Sequence, residues 1–157
     1  MRTLLLVAAF AMAGAARAEV IRHPIPNSTF PIAQSVEVKG PVTTYYVSGQ
    51  VPPIVNKDAD PQSLAAYGDL TTQTVGVLNR IKAILEGLGL TMADVVKMQV
   101  FLVYSPSAPM DFGAFMKGYT QFFSAPNLPA RSVVGVASLA NPGFLVEIEV
   151  IAVKDAK

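Results

Sequence analysis

The chain has 157 residues, a formal net charge of +1, one histidine and no cysteine. The absence of cysteine excludes a disulfide framework, a thiolate nucleophile and a cysteine metal site. A single histidine also gives little basis for a metal cluster or for Ser-His-Asp catalysis. A chain of this length is expected to form one domain with a sizeable core.

The first eighteen residues have the pattern of a secretory signal. Arg2 precedes an apolar run from Leu4 to Ala16, and Ala16-Arg17-Ala18 supplies the small-residue cleavage pattern. The run is shorter than the roughly 20 residues of a membrane-spanning helix. A buried N-terminal helix is the alternative, but it fits the charged start and the small-residue end less well. Cleavage after Ala18 predicts a secreted or periplasmic protein, not held in a membrane after cleavage.

The charge of the cleaved chain argues against a nucleic-acid partner. Loss of the two arginines in the signal leaves ten basic residues against eleven acidic ones. A protein that binds nucleic acid needs a basic stripe to neutralise a run of phosphates. The remaining sequence shows no such stripe, so nucleic acid is not the expected partner.

The next elements in chain order are an extended arm and two strands. Three prolines make residues 19–33 an arm rather than a helix. β-branched and aromatic residues at 34–39 and 42–48 flank Gly40-Pro41, which predicts a β-hairpin. A loop rich in glycine and proline follows.

The middle of the chain predicts a helix and a long strand. Apolar residues recur at spacings of three, four and seven from Leu70 to Leu88, the pattern of a helix with one buried face. Gly89 provides its C-terminal stop. After a short turn at 91–94, the β-branched and aromatic content of residues 95–104 predicts a long central strand.

A second helix is predicted to begin near Pro109 and Asp111. An aromatic stripe at helical spacing indicates core packing against a sheet rather than a cofactor-binding box. Two strands follow at 130–137 and 144–153, joined by a turn at 141–143. The aromatic residues of the stripe are Phe112, Phe115, Tyr119 and Phe122 or Phe123.

The predicted order is therefore β-β-α-β-α-β-β, an α+β sandwich of two layers with both helices on one face of one sheet. Several strands are apolar on both sides. The uncovered face is then expected to bury itself by self-association.

Two carboxylates lie on one face of the last strand, where Glu147 and Glu149 alternate with aliphatic residues. Partial burial of a glutamate raises its pKa toward the range useful to a general base. The alternative is an edge strand with two solvated glutamates.

Arg131 begins the preceding strand. Its guanidinium can hold a ligand carboxylate with two parallel hydrogen bonds. It can equally pair with Glu147 or Glu149, because the two strands are expected to be neighbours in a hairpin, and the sequence does not separate these alternatives.

Several stretches, in order over nearly all of the chain after the signal, resemble the reactive intermediate deaminase (Rid, YjgF-like) superfamily. The C-terminal signature is the most specific. The matching stretches are Pro129-Ala130-Arg131-Ser132 with the Val-Gly-Val-Ala-Ser-Leu that follows, residues 146–152, Tyr46 to Pro52, Val95 to Leu102, and Asp111-Phe112 with Tyr119, Phe122 and Phe123.

The resemblance implies a chorismate-mutase-like trimer with sheets packed inward and a cleft at each subunit interface. It implies that Arg131 holds the carboxylate of a 2-imino acid and that Glu147 positions or activates water. Ser48, Gly49 and Gln50 are expected beside this cleft. Imine hydrolysis needs orientation of substrate and water and no cofactor or metal.

The chain departs from the deaminase pattern at three pocket positions. Ile32 stands where members carry a tyrosine, Val133 where a cysteine usually follows Arg-Ser, and Met116 where the second helix offers an asparagine. Two functions follow: a hydrolytic deaminase of small imines, or a non-catalytic protein that binds small carboxylates or apolar ligands in the same cleft. A purely structural envelope trimer is a third possibility.

Overall fold

The computed structural model describes residues 18–104 and 109–156. The signal predicted at residues 1–18 therefore lies outside the described residues, except for Ala18. Within the described ranges, no helix has the length and apolar character needed to cross a membrane.

The structure contains six strands and two α-helices. The strands are β1 Glu19–Pro24, β2 Ala33–Lys39, β3 Val42–Gln50, β4 Val95–Val103, β5 Ala130–Val136 and β6 Val146–Asp155. The α-helices are α1 Leu70–Gly87 and α2 Phe112–Tyr119, and short 3₁₀ helices occupy Leu64–Ala66 and Met92–Asp94. Both predicted helices and the long strand after α1 are thus confirmed, within a few residues at each end.

The strands form one mixed sheet in the order β1-β2-β5-β4-β6-β3. β4 and β5 run parallel, whereas β4 and β3 are each antiparallel to β6. Both helices pack on one face of this sheet, which confirms the two-layer α+β class.

The core lies between α1 and the central strands. Val77, Ile81 and Leu85 of α1 are fully buried, as are Met98 of β4 and Ile148 of β6. Burying one such side chain contributes about 1.5–3 kcal/mol. The apolar spacing that predicted α1 therefore corresponds to the face that joins the two layers.

The start of β6 is fixed by one buried polar side chain of α1. Gln73 Nε2 donates to the carbonyls of Gly68 and Gly143, at 3.0 Å each, and Gln73 Oε1 accepts from the N–H of Leu145 at 2.8 Å. The predicted turn at 141–143 is present, with the Gly143 N–H bonded to Asn141 Oδ1 at 2.7 Å. These bonds set where β6 begins, and hence the position of Glu147.

The N-terminal arm is a strand rather than unpaired chain. β1 pairs antiparallel with β2 from Glu19 onward, and its register shifts at Pro24. The prolines that suggested an arm lie at or beyond the end of β1, so they do not interrupt the pairing. Arg22 anchors the strand, because its Nη2 donates to the Ala93 carbonyl at 2.6 Å and its Nε to that of Leu128 at 3.1 Å.

Neither predicted hairpin is present. β2 pairs with β1 and touches β5 at Ala33–Ala130, while β3 pairs with β6, so the strands on either side of Gly40-Pro41 are not paired partners. The central strand β4 also lies between β5 and β6. The expectation that the strands of Arg131 and Glu147 are neighbours is therefore wrong.

The uncovered face of the sheet is less apolar than the sequence suggested. Lys97 and Gln99 of β4 and Glu149 of β6 line an open groove there of about 380 Å³. Tyr46 is 79% exposed. The core-facing residues of β4 and β6 are apolar, but the opposite face mixes charged groups with aliphatic and aromatic ones.

Candidate functional site

The register of the sheet turns Arg131 toward the helices. Arg131 is opposite Met98 across β5 and β4, and Met98 is opposite Val150 across β4 and β6. Paired residues share a face of a sheet, and Met98 and Val150 belong to the core. Arg131 is therefore held on the helix-covered face, where it is half-buried.

Four aromatic rings surround the guanidinium of Arg131. The ring centroid of Tyr119 lies 4.1 Å from Arg131 Cζ, and that of Phe115 lies 5.2 Å away. Phe30 and Phe112 follow at 5.7 and 5.9 Å. Cations within about 6 Å of a ring are attracted to its π face. We call these four rings the aromatic cage.

The cage leaves the hydrogen-bonding capacity of the guanidinium largely unused. Arg131 Nη2 lies 3.4 Å from the sulfur of Met116, a weak acceptor. Arg131 Nη1 is buried and has no hydrogen-bond partner among the described residues. Burial lowers the pKa of Arg131, an effect that Tyr119 partly offsets. A buried donor without a partner is costly, so an anion that reached this fork would satisfy it.

Tyr119 links the cage to the loop before β2. Its hydroxyl donates to the Pro31 carbonyl at 3.0 Å. Burial raises the pKa of Tyr119 to about 12, although the charge of Arg131 opposes this shift. The phenol thus stays neutral and holds the loop that carries Phe30 and Ile32 against the guanidinium.

The second predicted group forms around Glu147. Glu147 is half-buried on β6 and its carboxylate packs against Gly49, at the end of β3 where the register with β6 shifts. A Cβ built on Gly49 would lie 2.0 Å from Glu147 Oε1. Gly49 has no positive φ. Its role is therefore to leave room for the carboxylate rather than to adopt a backbone conformation that only glycine favours.

Ser48 and Gln50 flank this glycine. Ser48 lines the groove on the uncovered face, and Gln50 Nε2 bonds back to the Ser48 carbonyl at 3.1 Å. Both are therefore chain neighbours of the glycine that the Glu147 carboxylate contacts, and their position beside a subunit cleft stays a prediction.

One chain does not bring Arg131 and Glu147 together. Glu147 is opposite Phe101 on β4, three residues beyond Met98, and successive side chains of a strand alternate between faces. Arg131 and Glu147 therefore lie on opposite faces of the sheet. Among the described residues no salt bridge joins them, so the internal ion pair that the sequence left open is ruled out.

The predicted site residues thus fall into two groups. The Arg131 group contains Met116 by direct contact, Ile32 through its loop, and Val133, which lies two residues further along the same face of β5 and packs against the core. The Glu147 group contains Ser48, Gly49 and Gln50. No cluster of three or more His, Asp or Glu residues that could hold a metal occurs in 18–104 or 109–156.

The sequence missed the aromatic cage. Phe112, Phe115 and Tyr119 were assigned to core packing, and Phe30 was not singled out. Core packing is correct for Phe115 and Tyr119, which are fully buried. The cage could have been expected from the alternation of side chains along β5. Arg131 and Val133 are two residues apart and so lie on the same face of the strand, and Val133 packs against the core.

The comparisons with known proteins agree with this fold. Residues 26–154 match the family described as endoribonuclease L-PSP. A RutC family protein of Haemophilus influenzae is 38% identical over 132 residues, covering 82% of this chain and 91% of that protein. The 2-iminobutanoate/2-iminopropanoate deaminase of Salmonella typhimurium is 36% identical over 131 residues, with the same coverage.

A solved structure of a Rid family protein is also similar to this chain. The crystal structure of YyfB from Yersinia pestis, a protein of unknown function of the conserved Rid protein family, superposes with a TM-score of 0.63 at 30% identity, covering 86% of this chain and 97% of that one. The chain therefore belongs to the endoribonuclease L-PSP family, which includes the RutC and Rid proteins.

Proposed function

We propose that this protein is a hydrolytic deaminase of 2-imino acids and that each site forms between two copies of the chain. The observation that carries the proposal is the half-buried Arg131 fork, whose Nη1 lacks a hydrogen-bond partner among the described residues. Relatives of this chain named 2-iminobutanoate/2-iminopropanoate deaminase support the reaction class. The signal pattern at residues 1–18 supports export of the enzyme.

The chemistry assigned to the two groups is simple. Arg131 binds the carboxylate of the substrate with two parallel hydrogen bonds and so fixes the adjacent C2. Glu147 accepts a proton from water as the water oxygen bonds to C2, and the π electrons of the protonated imine move onto nitrogen. The nitrogen then takes up a proton and leaves as ammonia with the C–N bonding pair. Loss of the hydroxyl proton completes the carbonyl of a 2-oxo acid.

The separation of the two groups supports a site between copies. Two different surfaces that complete one another across subunits make a head-to-tail contact, which gives a ring when the rotation from one copy to the next closes. The resemblance to the Rid superfamily indicates a ring of three. The mixed polar and apolar character of the uncovered face, with Tyr46 79% exposed, suits burial at a subunit contact.

We prefer imine hydrolysis to RNA cleavage, the activity in the name of the matched family. Arg131 lies among aromatic and apolar side chains. That environment holds one small anion. A run of phosphates requires several lysines and arginines along a groove.

The alternative function is binding without turnover. It is favoured by one observation, that the described side chains in contact with Arg131 are aromatic rings and a thioether. Such a pocket can retain a carboxylate with an apolar tail but offers no strong acid or base on that side. A binder of this kind gains melting temperature from the ligand and releases no ammonia.

The direct test measures ammonia release from 2-imino acids generated in the assay by an amino acid oxidase. Arg131→Ala is expected to lower kcat/KM about a hundredfold or more, because two charge-assisted hydrogen bonds are lost. Lys82→Ala removes an exposed cation of α1 that pairs with Glu86 and should leave kcat/KM unchanged. The proposal fails if the wild-type protein accelerates ammonia release no more than buffer does.

A further inference from the structure

The rings of Phe30 and Phe112 form an apolar wall beside the guanidinium of Arg131. The two rings are stacked, with centroids 6.2 Å apart and an interplanar angle of 17°. Phe30 is 41% exposed, whereas Phe115 and Tyr119 are fully buried beneath the guanidinium. The wall is thus the part of the cage that a ligand can reach from solvent.

Two residues close to this wall also have apolar side chains. Ile32 follows Phe30 on the same loop and is half-buried, and so is Met116, which contacts Arg131 Nη2. A ligand held by Arg131 therefore meets hydrocarbon and aromatic surface next to its carboxylate. A polar side chain would lose water there without gaining a hydrogen bond.

A larger apolar side chain on the ligand is therefore expected to bind this wall more tightly. A methyl or ethyl group covers little of the wall, whereas a benzyl group buries several more carbons and can stack on Phe30. Binding energy grows with the apolar area removed from water, and an aromatic contact adds roughly threefold to tenfold beyond that area.

We propose that the site selects 2-imino acids with aromatic side chains over those with small aliphatic ones, and that Phe30 is the residue that determines this selectivity. The proposal rests on the proposed function for the reaction, but the binding preference is a property of the wall itself. Phe30 is suited to the role because it is on a loop and half-exposed, so its replacement leaves the buried rings in place.

The first measurement is of binding and does not depend on turnover. Isothermal titration compares 3-phenyl-2-oxopropanoate with 2-oxopropanoate, the oxo acids that correspond to phenylalanine and alanine. The wild-type protein is expected to bind the aromatic acid at least about tenfold more tightly. Phe30→Ala should reduce that ratio by about threefold to tenfold, and Phe30→Leu, which keeps an apolar group without a ring, should reduce it less.

Leu88→Ala is the matched control, because Leu88 is an apolar side chain of similar exposure, 48%, at the C-terminal end of α1. It should leave the ratio unchanged. A wild-type ratio near one, or a ratio that Phe30→Ala does not lower, overturns the proposal.

The second measurement separates this inference from the proposed function. The same variants are assayed for ammonia release from the imino acids of phenylalanine and alanine. If both imino acids are hydrolysed at equal kcat/KM, the selectivity is wrong and the deaminase survives. If neither is hydrolysed but the aromatic oxo acid binds preferentially, the deaminase is wrong and the wall stands as a binding determinant.

Discussion

Arg131 and Glu147 lie on opposite faces of one sheet, which makes the subunit origin of each group testable by mixing two inactive variants. Arg131→Ala keeps the Glu147 group intact, and Glu147→Gln keeps the Arg131 group intact. Each variant alone should be inactive. Rings assembled from both, by co-expression or by refolding together, can place an intact Arg131 next to an intact Glu147 of the adjoining copy.

The expected recovery follows from counting. In a head-to-tail ring a site works when one copy supplies Arg131 and the next supplies Glu147, so an equal mixture restores about a quarter of the wild-type sites, whatever the ring size. Wild-type chain mixed equally with the double variant should also give about a quarter of the wild-type sites. The assay is ammonia release per total chain, with ring formation checked by light scattering.

A site formed within one chain gives a different pair of values. The two single variants would then recover no activity. The equal mixture of wild-type chain and double variant would show about half of the wild-type activity per total chain, because every wild-type copy would keep its own intact site. Observation of that second pair would refute the proposed arrangement.

Two further substitutions test the local structure. Gly49→Ala places a Cβ 2.0 Å from the present position of Glu147 Oε1, so the carboxylate must move. Because the end of a glutamate is flexible, we expect the free energy of unfolding to change by less than about 1 kcal/mol while kcat falls clearly. An unchanged kcat would show that the carboxylate is not needed there. Gln73→Ala leaves the partly buried N–H of Leu145 and two carbonyls without their partner, so urea unfolding should show a loss of about 3 kcal/mol in the free energy of unfolding. Gln121→Ala, which removes an exposed bond to a carbonyl of its own chain segment, is the control and should cost little; equal losses for both would contradict the assigned role.

The sequence predicted the elements well because their signals are local. The apolar spacing from Leu70 onward and the aromatic spacing from Phe112 onward each describe one face of one helix, and the structure places those helices at Leu70–Gly87 and Phe112–Tyr119. Asp69 and Asp111 cap them, as their side chains accept from backbone N–H groups in the first turn.

Strand pairing was predicted poorly because it depends on residues far apart in the chain. Gly40-Pro41 has the composition of a hairpin turn, yet β2 and β3 take other partners. β4 lies between β5 and β6, although the turn at 141–143 favoured direct pairing of these two strands. The sequence of the turn gives no indication that a third strand lies between them.

The same limit applies to the site. The sequence singled out Arg131 and Glu147 as a cation and a carboxylate on strands with apolar faces, and it placed Gly49 beside the expected cleft. Their mutual position was wrong because it was inferred from the missing hairpin. The cage around Arg131 depends on which face of β5 meets α2, which is a property of packing rather than of either segment alone.

The position of Asp155 shows that the sheet is curled. β2 and β3 stand second and last in the strand order, yet the link between Lys39 and Val42 spans at most about 11 Å. Val42 pairs with Asp155, whose Oδ1 accepts from the N–H of Ala18 at 3.1 Å. The first and last strands in the sheet order, β1 and β3, therefore approach each other at one corner of the sheet. Because β2 touches β5 only at Ala33 and Ala130, the side of β5 beyond Ala130 stays open along with the outer edges of β1 and β3, and these are the described edges to which another strand could add.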